Sequence, residues 1–293
     1  MVMVIQILLN GLTASSMYLL IGLGFSLIYS ATRFFNFAHG FILVAGAYMA
    51  LVFSSASGLS IWPAALFAVV TVAVLGGLLQ ACVYGPLLRK GASSLVLLLV
   101  SLGLYIILQN VISLIFGDAA RAFRLGNMVV IDIGHGRITA VQATGVCVSA
   151  ALTVLVATAL RVTKMGRALR AVANDSELAE VSGVECTRVT LWAFGVGSAL
   201  AAVAGILMAA DVAMTPTMGL NALMMGIVAV IIGGIGSVRG LVYGALLLGT
   251  AQHFGAFLLG AQWQNAIVFI ILSVFMLVRP RGFMGTKVKK ATV

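Results

Sequence analysis

The sequence predicts an all-α protein that crosses a membrane repeatedly as a bundle of about eight or nine segments. Hydrophobic residues make up 62% of the 293 residues and charged residues only 8%, whereas a soluble domain has about 25% charged residues. Apolar runs of about 20 residues, the length of a membrane-spanning helix, recur along the whole chain. The runs do not alternate apolar with polar residues, which excludes β-strands as the spanning elements. We therefore predict a single transmembrane domain over residues 1–293.

The second of the predicted segments is too short to cross a membrane alone. The first run covers about 4–30 and the second 41–53, and the polar break Ala31-Thr-Arg-Phe-Phe-Asn-Phe-Ala-His-Gly40 lies between them. We expect a discontinuous helix here, whose exposed backbone is tolerated only inside protein or beside a water-filled path. The alternative is an ordinary turn at the membrane surface, with the Arg33 side chain reaching towards water.

A second break, Asp211-Val-Ala-Met-Thr-Pro-Thr-Met-Gly219, divides the C-terminal half of the chain. It precedes another short apolar run, so the same interpretation applies. Outside the breaks, the segment Val129–Ile133 has the composition of a short strand or of an interfacial stretch. The remaining apolar runs are about 62–84, 94–116, 138–160, 189–210, 220–232, 241–259 and 263–278.

Residues 161–188 form the only long polar segment, which we call the polar island. We expect two short helices, one over about 166–173 and a second capped by Asn174 or Asp175 and stopped by Gly183. A helix of about two turns is marginal alone, so it needs a packing partner; a solvated loop is the alternative. Most Lys and Arg residues fall on the island's side of the membrane, which places the island and the C-terminus in the cytoplasm and the N-terminus outside.

The composition excludes several chemistries. The net charge of +10 marks membrane topology and does not indicate nucleic-acid binding. The glycine-rich stretch Gly233–Gly240 lacks the lysine of a phosphate loop and predicts a tight turn or a close backbone contact. We expect no metal site, and we interpret Cys82, Cys147 and Cys186 as packing residues. No acidic residue falls in mid-membrane, which argues against an ion-driven carrier and favours a transporter energised by a partner that binds the island.

Three stretches then carry a resemblance to a known family. They are Asn36-Phe-Ala-His-Gly40; Met165-Gly-Arg-Ala-Leu-Arg-Ala171 with Gly183-Val184; and Gly233-Gly-Ile-Gly-Ser237 with Gly240. In their order and spacing, over essentially its whole length, the chain resembles the H-type inner-membrane permeases of the branched-chain amino acid (Liv) ABC transporters.

The resemblance implies an ABC importer permease fold and a place in the bacterial inner membrane. The implied partners are a second permease subunit in a heterodimer, two ATP-binding subunits, a periplasmic substrate-binding protein and the lipid bilayer, with no nucleic acid. The chain would form half of the pathway for leucine, isoleucine and valine. It would not be an enzyme and would bind no cofactor, because the partner subunits hold the ATP. The island 161–188 would be the cytoplasmic coupling loop that docks on them.

Two sets of candidate residues follow from this resemblance. The candidates for coupling to the ATPase are Glu177, Ala179, Glu180 and Gly183. The candidates for the substrate pathway are Asn36, His39, Thr215 and Pro216, for which a structural role at a helix junction is the alternative. Relatives often carry an acidic residue where this chain has Phe41, so the import of urea or short amides stays open. An ATP-independent carrier or channel and a non-transporting scaffold are the other classes.

Overall fold

The computed structural model describes residues 2–56, 60–123, 129–134, 136–280 and 282–285. A π-helical turn, Gln80–Tyr84, and a 3-10 turn, Ala261–Trp263, interrupt the helices, and β1 (Val130–Ile133) pairs with β2 (Gly136–Thr139). The helices of the described residues are α1 Val2–Thr32, α2 Ala38–Ala56, α3 Ile61–Leu79, α4 Gly85–Arg89, α5 Ser94–Phe116, α6 Ala140–Val162, α7 Lys164–Asn174, α8 Ser176–Val181, α9 Cys186–Asp211, α10 Met218–Gly233, α11 Val238–Leu259 and α12 Gln264–Val278.

The predicted membrane bundle is confirmed. Within the described residues, eight helical segments are long and apolar enough to span a membrane, and α10 is a shorter apolar helix of 16 residues. The second predicted run is long enough to span, because its helix begins at Ala38, three residues before the apolar run itself, and so reaches 19 residues. Large apolar side chains stay exposed on the outer helices, as a lipid-facing surface requires; examples are Leu66, Leu114, Leu155 and Leu277.

Helices α1 and α9 form the centre of the bundle, and glycines bring their backbones together. A Cβ atom on Gly24 would lie 2.6 Å from the carbonyl oxygen of Gly197, and one on Gly197 would lie 2.8 Å from that of Gly24. Gly205 of α9 packs as closely on α2, because its Cβ would lie 1.9 Å from the Leu43 carbonyl oxygen. These close approaches need residues without side chains, as is usual where membrane helices pack.

The β-hairpin and the polar island lie at opposite ends of α1. At its first turns, Gln6 exchanges two hydrogen bonds with the Arg137 backbone, of 2.9 and 2.8 Å. Strand β1 includes four of the five residues of the segment Val129–Ile133, so the strand interpretation of that segment is confirmed. We call the end of the bundle that carries the hairpin the hairpin end, and the end that carries α7 and α8 the island end.

The glycine-rich stretch Gly233–Gly240 makes the close backbone contact that its sequence predicts. A Cβ atom on Gly240 would lie 2.0 Å from the Gly233 carbonyl oxygen. The chain after α12 returns to this turn, where Met284 donates its backbone N–H to the same oxygen at 3.1 Å. The rest of the basic tail, from residue 286 onwards, lies outside the described residues.

The exposure of two cysteines contradicts one prediction. Cys82 and Cys147 are exposed on the surface of the bundle, so their assignment as packing residues is wrong. Cys186 is half-buried at the start of α9. An apolar side chain in a membrane helix can face lipid as well as protein, and its residue type does not tell the two apart.

Candidate functional site: two helix breaks and the polar island

The first helix break is built inside the protein. Asn36 is 3% exposed, and its Oδ1 accepts hydrogen bonds from the Ala38 N–H at 3.1 Å and from the Tyr84 hydroxyl at 3.0 Å. The hydroxyl of Ser101 accepts from the Phe37 N–H at 3.0 Å. Polar groups freed by the break therefore find side-chain partners, as buried backbone requires. The burial and the hydrogen bonds of the break favour a discontinuous helix over a turn at the membrane surface.

The second break separates α9 from α10. Its centre, Met214, is fully buried and pairs with Arg121 through two backbone hydrogen bonds of 2.9 and 2.7 Å, which ties the break to the chain that follows α5. Pro216 is buried, and Thr215 is half-buried with its hydroxyl 3.4 Å from that of Thr217. The second break is therefore held by packing and a backbone bridge.

The two breaks meet where α2 and α10 begin. A Cβ atom on Gly40 would lie 3.0 Å from the Gly219 carbonyl oxygen, and one on Gly219 would lie 2.3 Å from the Gly40 carbonyl oxygen. Both glycines are in the first turns of their helices. Since the N-terminus of a helix carries a partial positive charge, the positive ends of two helix dipoles converge at this contact.

The four predicted pathway residues are divided between the breaks. Asn36 and His39 belong to the first break, and Thr215 and Pro216 to the second. His39 is 0% exposed, and its ring lies against Gly24, at the crossing of α1 and α9. The breaks are closed to solvent at Asn36 and His39 in this conformation, so the part of these residues in a pathway stays a prediction.

The polar island is folded and packed. Thr163 caps α7 by accepting a hydrogen bond from the Gly166 N–H at 3.0 Å. Leu169 and Val172 are buried, 2% and 4% exposed, whereas the charged face of α7 is turned outwards. The predicted pair of short helices is confirmed, and a solvated loop is excluded.

Helix α8 has a defined cap at each end. Asp175 Oδ1 accepts from the Glu177 and Leu178 N–H groups at 3.1 and 3.0 Å, so Asp175, and not Asn174, is the cap. At the other end Gly183 has φ +85° and donates to the Glu180 carbonyl at 2.9 Å, which is the glycine stop that the sequence predicts.

The exposed face of α8 includes two residues that are not among the predicted coupling candidates, and one candidate is buried. Ala179 is 5% exposed and holds α8 against the bundle, whereas Leu178 and Val181 are 62% and 87% exposed. Glu177 and Glu180 are also exposed. The pair Leu178 and Val181 was missed, although two apolar residues three apart on a short polar helix share one face and are a recognisable signal.

The bundle with its interrupted helices is that of a multi-pass membrane permease. The family model described as the permease component of the branched-chain amino acid transport system matches residues 7–277. The chain belongs to this family.

Curated relatives match over nearly the whole chain. The high-affinity branched-chain amino acid transport system permease protein LivH of Salmonella typhimurium is 30% identical, over 96% of this chain and 95% of the relative. BraD of Pseudomonas aeruginosa, a permease protein described in the same words, is 31% identical over the same shares. The probable branched-chain amino acid transport permease protein LivH of Methanocaldococcus jannaschii is 27% identical, over 97% of this chain and 94% of the relative.

A solved structure has the same fold. PsaBC from Streptococcus pneumoniae, in complex with Fab, superposes with a TM-score of 0.50 at 15% identity, over 96% of this chain and 92% of that chain. At this identity the likeness shows the fold alone. Together with the family match, it confirms the expected importer-permease-like bundle.

Proposed function

We propose that this chain is the membrane-spanning permease subunit of an ATP-driven importer of branched-chain amino acids, and that it forms half of the translocation pathway. The observation that carries the proposal is the family match over residues 7–277, together with relatives of about 30% identity that are described as high-affinity branched-chain amino acid permeases. A second permease subunit completes the pathway, and a periplasmic binding protein delivers the solute.

The pathway passes the two helix breaks. The first turns of α2 and α10 meet at Gly40 and Gly219, so a shift of either helix changes the contact between them. The converging helix dipoles favour the carboxylate of an amino acid over a cation. Asn36, His39, Thr215 and Pro216 border this junction and would be uncovered when it opens. The closed state of the junction suits an alternating-access cycle, in which one conformation seals the path.

The island is the site of coupling to ATP hydrolysis. Leu178 and Val181 form an exposed apolar pair beside the acidic Glu177 and Glu180. A complementary partner surface has an apolar floor and a basic rim. Gly183 fixes the end of α8, and Ala179 packs α8 against the bundle, so that a displacement of α8 moves the membrane helices. The ATP-binding subunits cause that displacement. The island end and the C-terminus are cytoplasmic.

Two rival functions have less support than the import of branched-chain amino acids. Import of urea or short amides was suggested by Phe41, but this side chain is only 7% exposed and packs within the core, so Phe41 itself gives that cargo little support. An ATP-independent carrier has no use for the exposed apolar face of α8. The branched-chain amino acid importer therefore has the better support.

Reconstitution in liposomes tests the proposal. The chain is assembled with the candidate second permease, ATP-binding subunits and binding protein, and uptake of labelled leucine and urea is followed with and without internal ATP. The proposal expects leucine uptake that needs both ATP and the binding protein. Urea uptake without leucine uptake would assign urea as the solute in place of leucine. Leucine uptake without ATP would favour an ATP-independent carrier.

A further inference from the structure

Arg33 has an unusual backbone and an unusual contact. Among the described residues it is the one non-glycine residue with a positive φ, of +58°. A conformation of this kind costs free energy for most side chains and persists where the surrounding structure requires it. The exposed side chain extends to the island, where its guanidinium donates a hydrogen bond to the Ala173 carbonyl oxygen.

The contact caps the C-terminal end of α7, which ends at Asn174. A cation at this position satisfies a free carbonyl group and suits the negative end of the helix dipole. Only one residue, the cap Asp175, separates α7 from α8. A displacement of α8 is therefore transmitted to the carbonyl group that Arg33 holds.

On its other side Arg33 leads directly into the first helix break. The next residue, Phe34, is 1% exposed, and its ring centroid lies 5.2 Å from that of Tyr84. The Tyr84 hydroxyl donates to Asn36 at 3.0 Å. Four residues after Asn36 the chain reaches Gly40, where α2 touches α10. A continuous chain of packed groups thus joins the end of α7 to the junction of the two breaks.

We propose that Arg33 is a positioning residue that couples movement of α8 to the first helix break. The inference rests on the proposed function, because it needs an ATPase that moves α8. Helix α7 also packs on α1 and α9 directly, so Arg33 is one of several connections and its loss weakens coupling without abolishing it. Changes along such connections alter coupling by about two- to thirtyfold.

The structure offers clean substitutions. Asn and Gly both accept a positive φ, so Arg33→Asn and Arg33→Gly remove the guanidinium without adding backbone strain. Arg33→Lys keeps a cation. Arg89→Asn is the matched control, because Arg89 is also an exposed arginine at the island end, where it lines a small cavity together with Thr187. Among the described residues, Arg89 forms no ion pair and no side-chain hydrogen bond.

Two quantities are measured on the reconstituted complex. The first is the ratio of leucine imported to ATP hydrolysed. The second, independent of cargo, is hydrogen exchange of the backbone amides of residues 34–40 with and without ATP and vanadate. We expect Arg33→Asn and Arg33→Gly to assemble normally, to lower the ratio about two- to thirtyfold, and to reduce the nucleotide-dependent change in exchange. We expect Arg33→Lys to recover part of both and Arg89→Asn to match the native chain.

The outcomes separate the inference from the proposed function. Native behaviour of Arg33→Asn in both measurements would overturn the role of Arg33 while leaving the importer intact. Failure of all three Arg33 variants to assemble would show a role in folding and also overturn it. If the native complex hydrolyses ATP without importing leucine, the exchange measurement still decides the role of Arg33. If no ATPase assembles with the native chain, the proposed function fails, and the role of Arg33 fails with it.

Discussion

Val181 offers a quantitative test of docking through α8. Its side chain is 87% exposed at the end of the helix, so nearly all of its apolar surface is available to a partner. Burying a valine side chain contributes about 1.5–3 kcal/mol, and Val181→Ser removes most of it. A loss of about 1.4 kcal/mol weakens binding about tenfold. The stability of the free chain is expected to change by less than about 0.5 kcal/mol, because the residue is on the surface.

The assay is equilibrium binding of the ATP-binding subunits to the permease pair in lipid nanodiscs, without nucleotide. Val162→Ser is the control, because Val162 belongs to the polar island and is 68% exposed but lies at the end of α6, outside α8. We expect about tenfold weaker binding for Val181→Ser and native binding for Val162→Ser. Equal affinities for Val181→Ser and the native chain, or an equal loss in both variants, would refute docking through this face.

Three further changes test the packing that supports the site. Gly205→Ala places a methyl group 1.9 Å from a carbonyl oxygen of α2, so it is expected to destabilise the protein by about 1–3 kcal/mol. The loss is measured as a lower Tm in detergent. The control is Gly103→Ala, whose Cβ has no atom within 4 Å and which is expected to leave Tm unchanged or higher. Asp175→Ala removes the cap of α8 at a cost of about 1 kcal/mol and is expected to speed hydrogen exchange of the α8 amides; native exchange rates would contradict this. Tyr84→Phe deprives Asn36 of one of its two hydrogen bonds and is expected to lower stability by about 1 kcal/mol, with unchanged thermal unfolding as the contrary result.

Much of the fold follows from the sequence, because the membrane leaves few alternatives. A run of about 20 apolar residues becomes a spanning helix, and the shortness of the second run indicates a break. The arrangement of the helices does not follow from the apolar runs. Gly197 and Gly103 both lie inside apolar runs, yet a Cβ atom on Gly197 would meet the backbone of α1 and one on Gly103 would meet nothing within 4 Å. Glycine by itself does not reveal which helices are central.

The site was predictable where its determinants are local. A cap of Asx type and the glycine stop of α8 follow from turn chemistry. The choice of Asp175 over Asn174 depends on where α7 ends, which tertiary packing decides. Likewise, the face that α8 presents depends on the burial of Ala179, and a helix of six residues has too short a pattern to show it. The contact of Arg33 with Ala173 joins residues 140 positions apart, beyond the reach of any local pattern.

ATP-driven leucine uptake by two glycine variants tests the central claim most directly. Gly183 and Gly91 have positive φ values of +85° and +70°, and a Cβ atom on either would meet nothing within 4 Å. Both are exposed, but only Gly183 adjoins α8. The coupling role predicts that Gly183→Arg assembles and loses ATP-driven uptake, whereas Gly91→Arg keeps it. Undiminished uptake by an assembled Gly183→Arg complex would contradict the assignment of the island as the coupling element.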